Sequence, residues 1–180
     1  MPHRTEPTPL VRALIAHPVL PTRALPPLDP AAAPADPATL FTAWLLDALA
    51  AGVPDAQVVT LSTVDAEGRP DARVLVLRDV DESAAAWHFW TEPDSPKAVQ
   101  FTARPDAALT VYWPQHGRQV RLRGPVRPEP DRATSSPALH CYALHPVTAE
   151  FWQGHPERRH LRLRYTRTAA SGWATTVLPG

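Results

Sequence analysis

The chain is nearly devoid of cysteine, methionine and lysine: Cys141, Met1 and Lys97 are the sole examples among 180 residues. A lone thiol forms no internal disulfide and founds no cysteine-based metal site, so a reducing cytoplasm is the expected home. No run of about 18 apolar residues occurs, so no membrane span is expected. The opening "MPHRTEPTPLVRALIAHPVLPTR" is interrupted by proline and arginine before a signal-peptide core forms, so no export signal is expected either. Net charge is also missing, since 18 acidic side chains balance 18 basic ones. Without a broad positive field, non-specific nucleic-acid binding is not expected. No Walker loop, dinucleotide fingerprint or Gly-x-Ser-x-Gly elbow is present. The eight histidines are scattered, and His155 and His160 do not have the spacing of one metal-binding face. If the chain is an enzyme, a cofactor carries its redox or group-transfer chemistry.

What is present fits one domain with a real core. Residues 1–36 are rich in proline and read as an extended or partly disordered arm able to wrap a neighbour; residues 37–180 read as the folded domain. Asp36-Pro37 supplies an N-cap and a pre-set first helical residue. Leu40, Phe41, Trp44, Leu45, Ala48 and Leu49 follow at helical spacing, with Gly52 as the stop. The period then changes. Strands are predicted over 58–64, 72–80, 85–91, 107–113 and 118–127, separated by turn clusters, with a short helix in "SPKAVQFTAR" after an N-cap at Ser95. Residues 128–148 are poorly periodic, with helix expected around 138–144. The chain closes with "RRHLRLRYTR", a turn at "TAASG" and "GWATTVLP". Short successive strands with few helices predict a mainly β fold with flanking helices, a small antiparallel barrel.

Positive charge is concentrated in particular places. Five of the seventeen arginines lie in "EFWQGHPERRHLRLRYTR", where Leu161, Leu163 and Tyr165 alternate with His160, Arg162, Arg164 and Thr166, the period of a strand with one cationic face. "DSPKAVQF" places Lys97 at a helix N-terminus, where free N–H groups and the dipole favour phosphate; a capped surface helix with an incidental lysine has the same sequence. Arg73 and Arg78 bracket an apolar strand and point to opposite faces if it is regular; they read either as rim charges or as phosphate forks. In "RQVRLRG", Gln119, Arg121 and Arg123 alternate with Val120 and Leu122. A glutamine amide suits a heterocycle edge and equally suits an exposed strand.

In order, "LSTVDAEGRPDARVLVLRD", "FWTEPDSPKAVQF", "ALTVYWPQHGRQVRLRG" and "EFWQGHPERRHLRLRYTR…GW…LP" resemble the pyridoxamine 5'-phosphate oxidase family over roughly residues 37–127 and 147–180. The resemblance implies a six-stranded antiparallel FMN-binding split β-barrel. It also implies a homodimer with FMN between subunits and dimerisation through 147–180. It places Arg73, the backbone of Val74, Leu75 and Val76, and Arg78 toward the flavin. Trp90 and Thr91 match an aromatic-Thr pair, Ser95 and Lys97 the phosphate corner, and Gln119, Trp152 and Arg162 further flavin contacts. Arg158, His160 and Arg78 fall to the substrate. The departures are Arg78 in place of lysine, Pro96 in place of an arginine, and a shortened segment between Gly124 and Glu150. In that segment no motif aligns Arg132, Ser135 or Tyr142 with the family's substrate-phosphate ligands.

The activity so implied is an FMN-dependent oxidase acting on an amine, alcohol or dihydro-aromatic substrate, with oxygen as acceptor and hydrogen peroxide as product. Two alternatives stand beside it. One is a secondary-metabolism flavin oxidase of the phenazine-pathway type on a substrate without phosphate, favoured by the shortened segment; the other is a non-catalytic flavin-binding or flavin reductase-like protein.

Overall fold

Most of the helical and strand periods read from the sequence form as such, and the described residues hold nine strands and three α-helices. The structure, a computed structural model, describes residues 8–17, 20, 25–170 and 172–179. The elements are α1 (Pro9–Ala16), α2 (Pro37–Ala50), β1 (Val58–Val64), β2 (Pro70–Asp81), β3 (Ala86–Thr91), α3 (Pro96–Ala103), β4 (Asp106–Trp113), β5 (Arg118–Pro128), β6 (His140–Leu144), β7 (Thr148–Gln153), β8 (Leu161–Arg167) and β9 (Trp173–Pro179). All strand pairings are antiparallel. The order β4-β1-β2-β3-β6-β5 closes on itself through β4 and β5 into a six-stranded barrel, and β7, β8 and β9 extend from β5. The expected split barrel is thus observed.

β5 is where the two sheets part. One edge pairs with β4 over Arg118–Pro125; the other serves β7 over Arg118–Arg123 and β6 over Val126–Pro128. Gly124 lies at the switch, and a Cβ there would sit 2.1 Å from the His145 carbonyl oxygen. Only glycine permits so close a backbone crossing. The core holds Val59, Leu61, Leu109, Val111, Val120, Leu122, Phe151 and Leu163 from alternate strand positions. α2 seats Phe41 edge-on against Trp87 at 5.6 Å and Trp44 against Phe151 at 5.3 Å. Asp36 accepts from the Ala38 N–H as N-cap, and Gly52 leaves the helix at φ +67°. Leu49, placed on the buried face by its spacing, is exposed.

Three readings are corrected. Residues 138–144 are not helical: His140–Leu144 form β6, paired with β3 and, in part, with β5. A short apolar run has no period to tell strand from helix, so the two waiting strand edges decide. The arm is not simply extended, because Pro9–Ala16 is helical with Thr8 accepting from the Val11 N–H. Thr8-Pro9 carries the same cap signature as Asp36-Pro37. Farther on, Leu28 and Ala33 pack on the core, and Tyr165 donates to the Pro34 carbonyl at 2.8 Å. Lastly, Ser95 occupies the N-cap position of α3 but its hydroxyl does not cap; it bonds the Thr91 hydroxyl at 3.0 Å. Among the described residues no helix is long and apolar enough to cross a membrane.

Candidate functional site

The predicted site residues fall into two groups on different faces of the sheet. The first is a cationic corner. Arg73 lies opposite Leu61, in a row continued by Leu109 and Leu122 on the core-facing side. Its guanidinium donates to the Thr63 hydroxyl, to Gln100 Oε1 of α3 at 2.8 Å, and to Asp71. Lys97 starts the first turn of α3 beside it. Burial, then the Arg73 charge, hold the Lys97 ammonium below its ordinary range, with Glu92 opposing. Two neighbouring cations meet a helix start that no side chain caps, which suits an anion. Thr91 and Ser95, bonded to each other, complete the corner.

β2 adds a backbone edge. Val74, Leu75 and Val76 pair with β1 on one side, whereas β3 pairs with β2 only from Leu77 to Asp81. Along Arg73–Val76 the second edge therefore has no strand across it among the described residues, and its peptide groups are available to a ligand. A bulge between Leu77 and Asp79 breaks the regular alternation, so the simple parity argument for Arg73 and Arg78 does not apply. Arg78 stacks over the Trp90 ring at 4.9 Å.

The second group lies on the outer face of β5, β7 and β8. Gln119, Trp152 and Arg162 are register partners in one cross-strand row. His160 packs against Trp152 in a tilted arrangement, 5.0 Å between ring centres. The His155 N–H donates to His160 Nδ1 at 3.0 Å, which places the neutral ring's proton on Nε2. Arg158 lies two residues away at φ +58°, a left-handed conformation that non-glycine residues seldom adopt. Such strain clusters where function requires a particular side-chain placement.

Arg78 is not brought to Arg158 and His160 within this chain. It faces a cleft of about 300 Å³ with Asp79, His88, Trp90, Arg132, Ala133 and Cys141.

Some residues escaped the sequence reading. Glu150 is buried beneath three arginines: Arg162 reaches it at 3.1 Å, Arg164 at 2.8 Å and Arg121 at 3.1 Å. Burial pushes its carboxyl up, but hydrogen bonds from Arg164 and Arg162 and the Arg121 charge outweigh it, leaving the group below the ordinary range. Arg118 is 4% exposed, 4.4 Å over the Trp44 ring and 3.0 Å from Asp47. Its parity with Val120 and Leu122 was the available signal. Gln100 and Thr63 join the corner from within two of the quoted motifs, at positions to which the sequence reading gave no role. Tyr142, in contrast, packs in the core 4.8 Å from the Phe101 ring. No metal-binding group of histidine, cysteine or carboxylates occurs among the described residues.

The barrel, its three-stranded extension and the cationic corner define a split-barrel protein. Residues 45–171 match the sequence model described as pyridoxamine 5'-phosphate oxidase. The chain is 34% identical to the pyridoxine/pyridoxamine 5'-phosphate oxidase of Burkholderia cenocepacia strain HI2424, with 84% of this chain and 92% of the relative covered. That alignment spans 199 positions against a chain of 180 residues, so the relative carries residues this chain lacks. The Burkholderia multivorans homologue, of the same name, is 35% identical at the same coverage. The fold is shared with PhzG from Burkholderia lata 383, solved with tetrahydrophenazine-1-carboxylic acid (TM-score 0.77, 24% identity, 87% of this chain and 99% of that one). It is shared also with a pyridoxamine 5'-phosphate oxidase-related, FMN-binding protein of Nostoc punctiforme PCC 73102 (TM-score 0.69, 20% identity, 80% and 97% covered). The chain belongs to the pyridoxamine 5'-phosphate oxidase family.

Proposed function

We propose that this protein is an FMN-dependent oxidoreductase that oxidises an amine, an alcohol or a dihydro-aromatic ring, passes the electrons to oxygen and releases hydrogen peroxide. The observation that carries the reading is the pairing of Arg73 with Lys97 at the uncapped start of α3, next to the open edge of β2. A flavin phosphate fits the two cations and the helix N-terminus. Thr91 and Ser95 supply hydroxyls beside it, and the Arg73–Val76 peptide groups border the ring. When bound, FMN supplies the two-electron redox chemistry.

The corner lies toward the core-facing row of the sheet, and Gln119, Trp152 and Arg162 on the outer face of another part. One flavin meets both groups when a second copy brings its outer face to the first copy's corner, which supports a homodimer. There Gln119 offers an amide to a ring edge and Arg162 a positive charge where negative charge develops. Arg158 and His160 orient the substrate, with the His160 Nε2 proton free to be donated. A substrate without phosphate is favoured over pyridoxamine 5'-phosphate, because Tyr142 is in the core and Arg132 is engaged by Asp79 and Asp81.

The test is the visible spectrum and FMN affinity of the purified full chain, with its solution mass. Yellow protein of dimer mass is expected, and Lys97→Met should weaken FMN about 10- to 100-fold, the loss of one charge-assisted phosphate contact. Peroxide release on adding substrate candidates tests the oxidase step. A colourless protein that takes up no added FMN overturns the reading.

A further inference from the structure

The cleft behind Arg78 contains a group that the flavin site leaves unused. His88 is 2% exposed, and its Nδ1 is buried without a hydrogen-bond partner while the ring lines the cavity. A buried polar atom left unpaired is costly, about 1–3 kcal/mol, so the orphan marks a place where a ligand atom belongs. Burial, then the Arg132 charge, keep the His88 ring below its ordinary pKa against the pull of Asp79, Glu129 and Asp81, so it is neutral near pH 7. Trp90 forms a wall beside its strand partner Cys141. The covering loop, residues 129–139, is clasped at its base by the Glu129 N–H on the Cys141 carbonyl at 2.9 Å.

The charges discriminate among anions. Arg132 spends its fork on Asp79 at 2.6 Å and Asp81 at 3.0 Å. The Arg78 guanidinium carbon sits 4.9 Å over the Trp90 ring, and no ion pair engages Arg78 among the described residues, so its fork can meet a bidentate acid. Two arginines and two carboxylates sum to zero, so a dianionic phosphate would enter against Asp79 and Asp81, whereas a carboxylate needs only Arg78. A volume of about 300 Å³ is at the small end for organic ligands.

We propose that this cleft is a subsite for a small planar organic acid without phosphate, its carboxylate on Arg78 and an adjacent amine or hydroxyl on His88 Nδ1. The proposal deepens the oxidoreductase reading and rests on it for the claim that such an acid is the substrate. A hydroxyl beside the acid serves either tautomer of the ring, and an amine serves the one with Nδ1 unprotonated, by donating to it. His88 is then a specificity residue, and Arg132, held by its two carboxylates, positions the loop over the ligand.

The experiment is calorimetric titration of the full chain, as purified and with FMN added, using 2-aminobenzoate, benzoate and inorganic phosphate as probes. The wild type should bind 2-aminobenzoate about 5- to 10-fold more tightly than benzoate, one hydrogen bond's worth, and His88→Phe should remove that preference. Arg78→Gln should weaken both acids about 10-fold or more, and phosphate at matched ionic strength should displace neither. Equal affinity of the wild type for the two acids, or displacement by phosphate, overturns the proposal. If His88→Phe does not fold, the wild-type preference, the Arg78→Gln titration and the phosphate competition still decide. A chain that takes up no FMN yet prefers 2-aminobenzoate defeats the flavin reading and keeps the subsite; one that binds FMN without the preference does the reverse.

Discussion

Glu150 gives the most demanding test of the site's electrostatics. Its carboxylate is 9% exposed and takes hydrogen bonds from Arg121, Arg162 and Arg164, themselves 43%, 31% and 40% exposed. Glu150→Gln keeps the shape and removes the charge, leaving three guanidinium groups around a neutral amide. A fully buried broken pair costs about 3–5 kcal/mol, and three solvent-screened pairs about 0.2–1 kcal/mol each. Arginines exposed by about a third or more place this cluster between those limits, at about 2–3 kcal/mol. In a domain of this size that lowers the melting temperature by roughly 5–10 °C near pH 7. The pH dependence has a definite sign. The folded-state pKa of Glu150 is depressed, so its contribution is complete above the ordinary value of about 4.3 and is lost as pH falls through the lower folded value. The gap between wild type and variant should therefore close in acid. Thermal melts at a series of pH values measure it. A difference under about 1 °C at pH 7 would refute the cluster's weight, as would a gap that widens in acid.

Gly124→Ala should cost about 3 kcal/mol, near the top of the overpacking range, because its Cβ meets the His145 and Pro146 backbone rather than a movable side chain; urea melts measure it, and a loss below 1 kcal/mol would be inconsistent with the crossing. Arg158→Gly should leave the melting temperature unchanged or raise it by the few degrees that relief of about 1 kcal/mol of left-handed strain allows, while substrate turnover falls; a marked loss of stability would count against strain. Tyr165→Phe loses the bond to Pro34, about 1 kcal/mol, at neutral pH. Burial, then Asp36, raise the Tyr165 phenol to about 12. Its stabilisation should be intact below the ordinary value of about 10 and disappear as pH rises from there to about 12, when Tyr165→Phe keeps what the wild type loses. Stability curves across that range, with phenolate absorbance, check the sign.

Much of this was legible before any coordinates. β1 coincides with its predicted bounds, and the alternation that buries Val120 and Leu122 while turning Gln119, Arg121 and Arg123 outward is the one in the sequence. What failed did so where partners are remote. HCYAL carries no period, and only the edges of β3 and β5 make it a strand. The Arg73–Arg78 parity broke on a bulge, which adds a residue without a compositional mark. Ser95 had two acceptable uses for one hydroxyl, and a residue four positions back took it. The cationic corner was readable as Lys97 at a helix start, but its companions Thr63 and Gln100 arrive from β1 and from one turn farther along α3. Glu150 was inside a quoted motif, yet its burial follows from three arginines on two rungs of the neighbouring strands β5 and β8.

The clasp from Glu129 to Cys141 bears on how such a protein changes its diet. Both ends of the 129–139 loop are fixed by the barrel, so where Arg132 keeps its hold on Asp79 and Asp81 added length costs closure entropy, about 0.6 kcal/mol for each doubling. Lengthening or replacing the loop therefore leaves the strands and the cationic corner in place while redrawing the wall over His88 and Arg78. A lineage with this barrel can then redraw that wall at little cost to its folding, by trading a few residues in the connection between β5 and β6.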